Sequence, residues 1–221
     1  MARSRIDPVA LVETAPLSDA VRALARRGEL CRFQKGAVLI QEGTHGDTLY
    51  IVLDGRLRIY SGHLASEREI THGTYGVGEY VGEMSLDGGP RSASVAAIEP
   101  TVCALVTRRT LQAHLAAQPE FAFELLAKVI RRARVATLSA KSLALNDVYG
   151  RLKALLDELG QPRPDGTRSL PEKLTHQELA NCVGCSREMV TRQLSDLQQG
   201  GYVSAVRGEA LVLLKPLPPR W

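Results

Sequence analysis

The stretch LTHQELANCVGCSREMVTRQLSDLQQGGYV, Leu174 to Val203, decides the fold of the last third of the chain. Thr175 followed three residues later by Glu178 is a capping box, the signature of a helix start. Gly184 ends that helix, and Ser186 caps another that has Glu188 and Met189 in its first turn. Met189, Val190, Leu194 and Leu197 recur on one side of the second helix, with Arg187, Glu188 and Arg192 opposite. Two short helices joined by a tight glycine turn form a helix-turn-helix. After it, YVSAV, Arg207-Gly208-Glu209 and ALVLL read as a hairpin wing. Before it, GRLKALLDELG is an amphipathic helix ending at Gly160, and QPRPDGTRSLPEK reads as a loop rich in Pro, Gly and charge.

The residues on the outer face suit DNA. A recognition helix presents its N-terminal side chains to base edges in the major groove. Arg187 and Arg192 can each donate two hydrogen bonds to guanine O6 and N7, and Glu188 can accept from cytosine N4. Glu188 and Arg192, four apart, share one helical face. Thr175, Gln177, Ser186 and Thr191 are candidates for phosphate contacts, which position a protein without specifying sequence.

Upstream, neither glycine nor proline falls between Pro119 and Gly150. Ala122, Leu126, Val129, Ala133, Ala136, Ala140 and Leu143 are spaced 4, 3, 4, 3, 4, 3, a seam for pairing with a second helix. Leu125, Leu138 and Leu145 lie off that seam, on a face available to the domain before it. The seam predicts a homodimer, against the alternative of one amphipathic helix on its own core; in a dimer, two helix-turn-helix units about 34 Å apart would read a palindrome.

The first half has another texture. Eleven of the 19 glycines fall between Gly36 and Gly89, separating short β-rich runs: AVLIQ, TLYIVLD, RLRIY and REIT. SASVAAI and VCALV follow, and the pattern predicts a small antiparallel sandwich or barrel. Leu49, Ile51 and Leu53 fall on one face of their strand, which Gly55 ends with a turn.

Within this half stands Gly82-Glu83-Met84-Ser85-Leu86-Asp87-Gly88-Gly89-Pro90-Arg91-Ser92-Ala93. Burying a cyclic phosphate diester needs a cation and several N–H donors. Arg91 supplies a guanidinium fork, Ser92 a hydroxyl, and the turn after Pro90 a set of backbone amides. Gly82 is expected to leave space for a sugar, and Glu83 to accept from a ribose 2′-hydroxyl.

These two motifs, in this order, resemble the catabolite activator family, the cyclic-AMP receptor and fumarate–nitrate regulators. The resemblance runs from about residue 30 to 215. It rests on the Gly82–Ala93 cassette and on Val183-Gly184-Cys185-Ser186-Arg187-Glu188-Met189-Val190. It implies an α+β protein with a cyclic-nucleotide-binding β-roll (residues 1–117), a long dimerisation helix (118–148) and a C-terminal winged helix-turn-helix (149–221). It further implies a ligand site of Gly82, Glu83, Met84, Ser85, Arg91, Ser92 and Ala93. The family positions that contact the base fall on Arg132, Ala136 and Thr137. Cyclic AMP is the first choice of effector. Ala136 lacks the hydroxyl of the cyclic-AMP receptor, and the loop between Glu83 and Arg91 is shorter, so cyclic di-GMP and cyclic GMP stay open, as do redox control and constitutive action. The implied partners are double-stranded DNA with TGTGA-like half-sites, a second copy and RNA polymerase.

Charge and cysteines set bounds. The net charge of +4 resides wholly beyond residue 118: residues 1–118 carry 13 basic and 13 acidic side chains, 119–149 carry 5 and 3, and 150–221 carry 10 and 8. No apolar run approaches a membrane span, and MARSRIDPVALVETAP lacks the apolar stretch of a secretion signal, so a cytoplasmic protein is expected. No nucleophile–base set or nucleotide-hydrolysis motif points to an enzyme. Cys182 and Cys185 have redox spacing but sit inside the helix-turn-helix, where both are expected to be small buried apolar residues, Cys182 facing the core. His176 with this pair makes three potential zinc ligands, too few for a closed site. His45, His63, His72 and His114 are dispersed, with no spacing that indicates haem ligation.

Overall fold

A computed structural model of the chain describes residues 8–62, 69–205 and 209–220. The chain folds as two compact units. One comprises the described parts of 1–61 and 71–134, the other those of 62–70 and 135–221.

The first unit is built on two antiparallel sheets. One orders β1 (Glu29–Phe33), β8 (Thr101–Thr107), β3 (Thr48–Asp54) and β6 (Tyr80–Val81). The other orders β2 (Val38–Ile40), β7 (Ser94–Ala97), β4 (Leu57–Gly62) and β5 (Glu69–Tyr75). β3 explains how the sheets pack. Leu49, Ile51 and Leu53 point to one face as the alternation predicts, but Tyr50 and Val52 opposite are buried as well. The second face meets Ile40, Leu57, Val95 and Cys103 between the sheets. The first is covered by three helices that no motif in the sequence announces: α1 (Pro8–Thr14), α2 (Asp19–Ala25) and α3 (Arg108–Ala117). Burying Leu49, Ile51 and Leu53 contributes about 1.5–3 kcal/mol each. At the β3–β4 turn Gly55 has φ 85°, and a Cβ there would lie 2.5 Å from Pro100 O and Thr101 Oγ1, so only glycine fits.

α4 (Phe121–Leu145) is one helix of 25 residues, opened by a turn at Pro119 and Glu120. Phe121 and Leu125 pack on the core of the first unit. Leu138 is 60% and Leu145 72% exposed.

In the second unit α5 (Val148–Leu159), α6 (His176–Val183) and α7 (Arg187–Gln199) surround a core that includes Leu152, Leu156, Leu179, Val190, Leu194 and Leu197. Thr175 and Glu178 make both bonds of the capping box, and Gly184 ends α6 at φ 71°. Met189 is half-buried, and the three other apolar residues of that α7 face are buried. The expected loop after Gly160 instead contains two short strands, β9 (Gln161–Pro162) and β10 (Arg168–Ser169). Asp165 Oδ1 tightens the turn between them by accepting from Thr167 N at 3.0 Å. The wing strands β11 (Val203–Ser204) and β12 (Val212–Leu213) complete a sheet ordered β11-β12-β10-β9. Arg207 and Gly208 of the expected wing turn lie outside the described residues.

Candidate functional site

The Gly82–Ala93 cassette begins where β6 ends. Gly82 takes φ 97°, and residues 83–85 form a single 3-10 turn. A Cβ on Gly82 would lie 2.5 Å from Thr48 O and 2.8 Å from Arg91 Nη1. Gly82 therefore lets the backbone and the Arg91 fork approach each other. Arg91 is buried, with Nη1 donating to Gly82 O at 2.9 Å and Nη2 to Thr48 O and Thr48 Oγ1 at 2.9 Å each. Burial pulls its pKa down, against the smaller upward pull of Tyr50, Asp47 and Glu83. Gly46 is the other wall, since a Cβ there would come 2.9 Å from Arg91 Nη2.

Glu83 is buried too, but its ion partner is Arg132 on α4, not Arg91. Arg132 Nη2 also donates to Tyr80 O at 2.6 Å, and its guanidinium lies 4.4 Å from the centroid of the Tyr75 ring. Burial works against this guanidinium, and Glu83, Tyr75 and Glu79 outweigh it, so its pKa is raised. Lys128, one turn earlier, bonds Glu79 at 2.8 Å and lies 4.1 Å over the Tyr80 ring. Lys128, Glu79, Tyr75, Tyr80 and Thr48 were not among the residues picked from sequence. They are brought in by strand register and by the turn spacing of α4, which no local motif announces.

The other cassette residues are differently placed. Ser85 is buried and donates to Gly46 O at 3.1 Å or Gly82 O at 3.2 Å. Ser92 and Met84 are exposed, and Ala93 is half-buried. Thr137 is an exposed residue of the second unit, as is Ala136.

Along α4 the large apolar side chains left in solvent are prominent: Phe123, Leu126 and Ile130, 77%, 54% and 56% exposed, and Leu143 further on. Ala122 and Val129 of the predicted seam are partly buried by their own chain, whereas Ala133, Ala136 and Ala140 are exposed. In its first half the exposed edge thus runs through Phe123, Leu126, Ile130 and Ala133.

On α7, Arg187, Glu188, Thr191 and Arg192 are exposed, and with Ser195 and Asp196 they line a shallow surface concavity. Ser186 Oγ caps the helix by accepting from Met189 N at 3.3 Å, and Thr175 Oγ1 accepts from Glu178 N at 3.1 Å. A capping hydroxyl uses a lone pair to accept, so each of these bonds leaves the hydroxyl proton unused. The Thr191 hydroxyl instead donates to Arg187 O at 2.9 Å. Gln177 Nε2 donates to Asn181 Oδ1 at 2.8 Å.

Cys182 is corrected: it is exposed on α6, and Asn181 and Val183 beside it take the buried positions. Cys185 is half-buried, its thiol pushed up by burial. Among the described residues no three His, Cys, Asp or Glu side chains converge on a metal position. No helix among them is long and apolar enough to cross a membrane.

Comparison with known proteins matches two families. The cyclic nucleotide-binding domain matches residues 30–118, and the Crp-like helix-turn-helix domain residues 150–216. The chain is 32% identical to the CRP-like cAMP-activated global transcriptional regulator of Mycobacterium tuberculosis, covering 83% of this chain and 84% of that protein. It is 36% identical to the cyclic AMP receptor protein of Thermus thermophilus, over 77% of each. Among solved structures, the c-di-GMP responsive global regulator CLP of Xanthomonas campestris superposes with a TM-score of 0.78 at 26% identity, covering 89% of this chain and 98% of that one.

Proposed function

Because the chain belongs to the CRP-like family of cyclic-nucleotide-responsive transcription regulators, we propose that it acts as a homodimer gripping a palindromic DNA site under the control of a cyclic nucleotide. The observation that carries the reading is the outer face of α7. There Arg187, Glu188 and Arg192 project beside two capping hydroxyls whose protons the cap bonds leave unused. The preferred site has TGTGA-like half-sites. The partners are double-stranded DNA, RNA polymerase and a second copy, and the protein works in the cytoplasm, where its DNA is. Its relatives are transcription regulators, and the proposed role is regulatory, not enzymatic.

The second copy covers the exposed edge of α4. Leu126, Val129, Ala133, Ala136, Ala140 and Leu143 remain the proposed contact set, with Phe123 and Ile130 added from their exposure. Alanines permit close approach of two helices, and the larger side chains supply the apolar burial.

Cyclic AMP is the preferred effector, since the two relatives above are named for it. Arg91 would take the cyclic phosphate, with Gly82, Met84, Ser85, Ser92 and Ala93 around it, and Glu83 the ribose. Cyclic di-GMP is the second reading, favoured by the CLP structure. Arg91 makes three of its five possible N–H bonds to Gly82 and Thr48, so Nε–H and one Nη1–H remain for a phosphate oxygen. Either effector changes DNA binding only through a different affinity for two arrangements of the chain.

The test is fluorescence anisotropy of a palindromic TGTGA duplex and a scrambled duplex with each nucleotide. Wild-type protein is expected to prefer the palindrome, and Arg187→Ala to lose about 1–3 kcal/mol of that preference. Equal affinity of wild type for both duplexes with every nucleotide contradicts the reading.

A further inference from the structure

Cys31 and Cys103 stand directly opposite each other across the antiparallel β1–β8 pair. Residues facing each other in such a pair have Cα atoms about 4.5 or 5.5 Å apart, according to whether they exchange hydrogen bonds. Both separations fall inside the span of about 4.4–6.8 Å that a disulfide bridges. Opposite residues also project from the same side of the sheet. Here that side is the space between the two sheets. Cys103 is buried there among Ile40, Val52, Leu57 and Val95, and Phe33, two residues beyond Cys31, packs on the same cluster. Cys182 and Cys185 belong to the second unit and share no such strand register.

One cysteine in a core is an ordinary small apolar filler, and Cys103 alone would be that. Two in register, one of them half-buried on the outermost strand of its sheet, can do more. We propose that Cys31 and Cys103 form a redox site, a dithiol that a peroxide closes to a disulfide across β1 and β8. Cys31 is the thiol that the oxidant meets, because Cys103 is buried. The Cys31 sulfur attacks the O–O bond and takes one oxygen as a sulfenic acid, while the other oxygen leaves as water with the thiol proton. The Cys103 sulfur then attacks the Cys31 sulfur, the S–O bond breaks, and the hydroxyl leaves as a second water with the Cys103 proton. The two sulfurs together lose two electrons, and one peroxide is reduced to two waters.

Burial pushes the Cys103 thiol up to about 12, with a smaller push from Cys31. Burial, and after it Glu29, raises Cys31 as well. Both are therefore protonated at neutral pH, and oxidation proceeds through the small thiolate fraction of Cys31. The pair is a slow responder to sustained oxidant, not a fast catalytic thiol. A thiol reductant reopens it by exchange. Closure joins the ends of the segment that runs from β2 to β7 and contains Thr48, Gly82 and Arg91. Cross-linking across so long a loop restricts the unfolded chain and stabilises the folded one.

The experiment exposes the full chain to hydrogen peroxide, blocks the remaining thiols with N-ethylmaleimide in denaturant and digests with trypsin without reductant. The fragments Gly28–Arg32 and Ser92–Arg108 are expected as one joined species, lighter than their sum by two hydrogens, which dithiothreitol separates. Oxidised wild type is expected to melt several degrees above the reduced form. Cys182→Ser combined with Cys185→Ser is expected to keep both effects, and Cys31→Ser to lose both. Cys103→Ala, which leaves a small apolar residue in the core, is the second variant and is expected to lose both as well. Recovery of Cys31 and Cys103 each carrying maleimide after prolonged peroxide treatment overturns the proposal. So does a rise in melting temperature that persists in Cys31→Ser.

Discussion

The carboxylate of Glu83, in a side chain only 1% exposed, is held by the guanidinium of Arg132, 49 positions further along the chain. Glu83 opens the cassette and Arg132 belongs to the long helix, so this pair joins the residue expected to receive a ribose to α4. Removing one partner of a buried pair leaves a charge without compensation, which is more damaging than removing both. Arg132→Ala should therefore destabilise the protein by about 3 kcal/mol in urea unfolding, and Glu83→Gln combined with Arg132→Met should recover much of that loss. Equal stability of wild type and Arg132→Ala would remove the pair from the account.

Arg91 makes a directional test of the cassette. Its three bonds use two nitrogens of a planar fork, a geometry that an ammonium does not reproduce. Arg91→Lys keeps the charge yet should weaken cyclic-nucleotide binding at least about tenfold in calorimetry. Retention of full affinity would mean that charge alone suffices.

Gly82→Ala should destabilise the protein by more than about 1 kcal/mol, because φ 97° is unfavourable for a side chain and Thr48 O stands 2.5 Å from the new Cβ. Thermal melts of the variant beside wild type measure this. A melt unchanged from wild type would refute the close approach.

His114 gives the acid limb of stability. It is fully buried against Phe121, their ring centroids 5.1 Å apart, and neither ring nitrogen makes a hydrogen bond of normal geometry. Burial, reinforced by Arg27, lowers its pKa, so the folded protein holds it neutral. The unfolded chain takes up a proton first, near the ordinary histidine value of about 6.5. Stability from this residue is thus complete above that pH and is lost as the pH falls through it toward the lower folded-state value. Urea unfolding at neutral and acidic pH should show a smaller loss for His114→Leu than for wild type. An identical loss would assign the acid sensitivity elsewhere.

Some of this architecture was legible from residues alone. The helix-turn-helix announces itself because its signals are local: Thr175 with Glu178, Gly184 at positive φ, and Ser186 at the next cap. The β3 strand is equally legible, since Thr48–Asp54 alternates and ends at Gly55. The helices α1 and α2 were not, because seven residues each carry too little periodicity and their burial is decided by the sheet they cover. Cys182 was misplaced for a related reason: a one-residue shift in helical phase turns a side chain from core to solvent, and Asn181 took the inward position. The contacts of Arg132 with Glu83, Arg91 with Thr48 and His176 with Thr191 join residues that no spacing rule connects.

The central claim is that a cyclic nucleotide held by this cassette governs the affinity of α7 for DNA. Its most direct test measures the affinity of the palindromic TGTGA duplex without nucleotide and with saturating cyclic AMP, cyclic GMP or cyclic di-GMP, in wild type and Arg91→Ala. At least one nucleotide should change wild-type affinity about fivefold or more, the range of ordinary allosteric coupling, and leave Arg91→Ala unaffected. Wild-type affinity that is the same with and without all three nucleotides would contradict it.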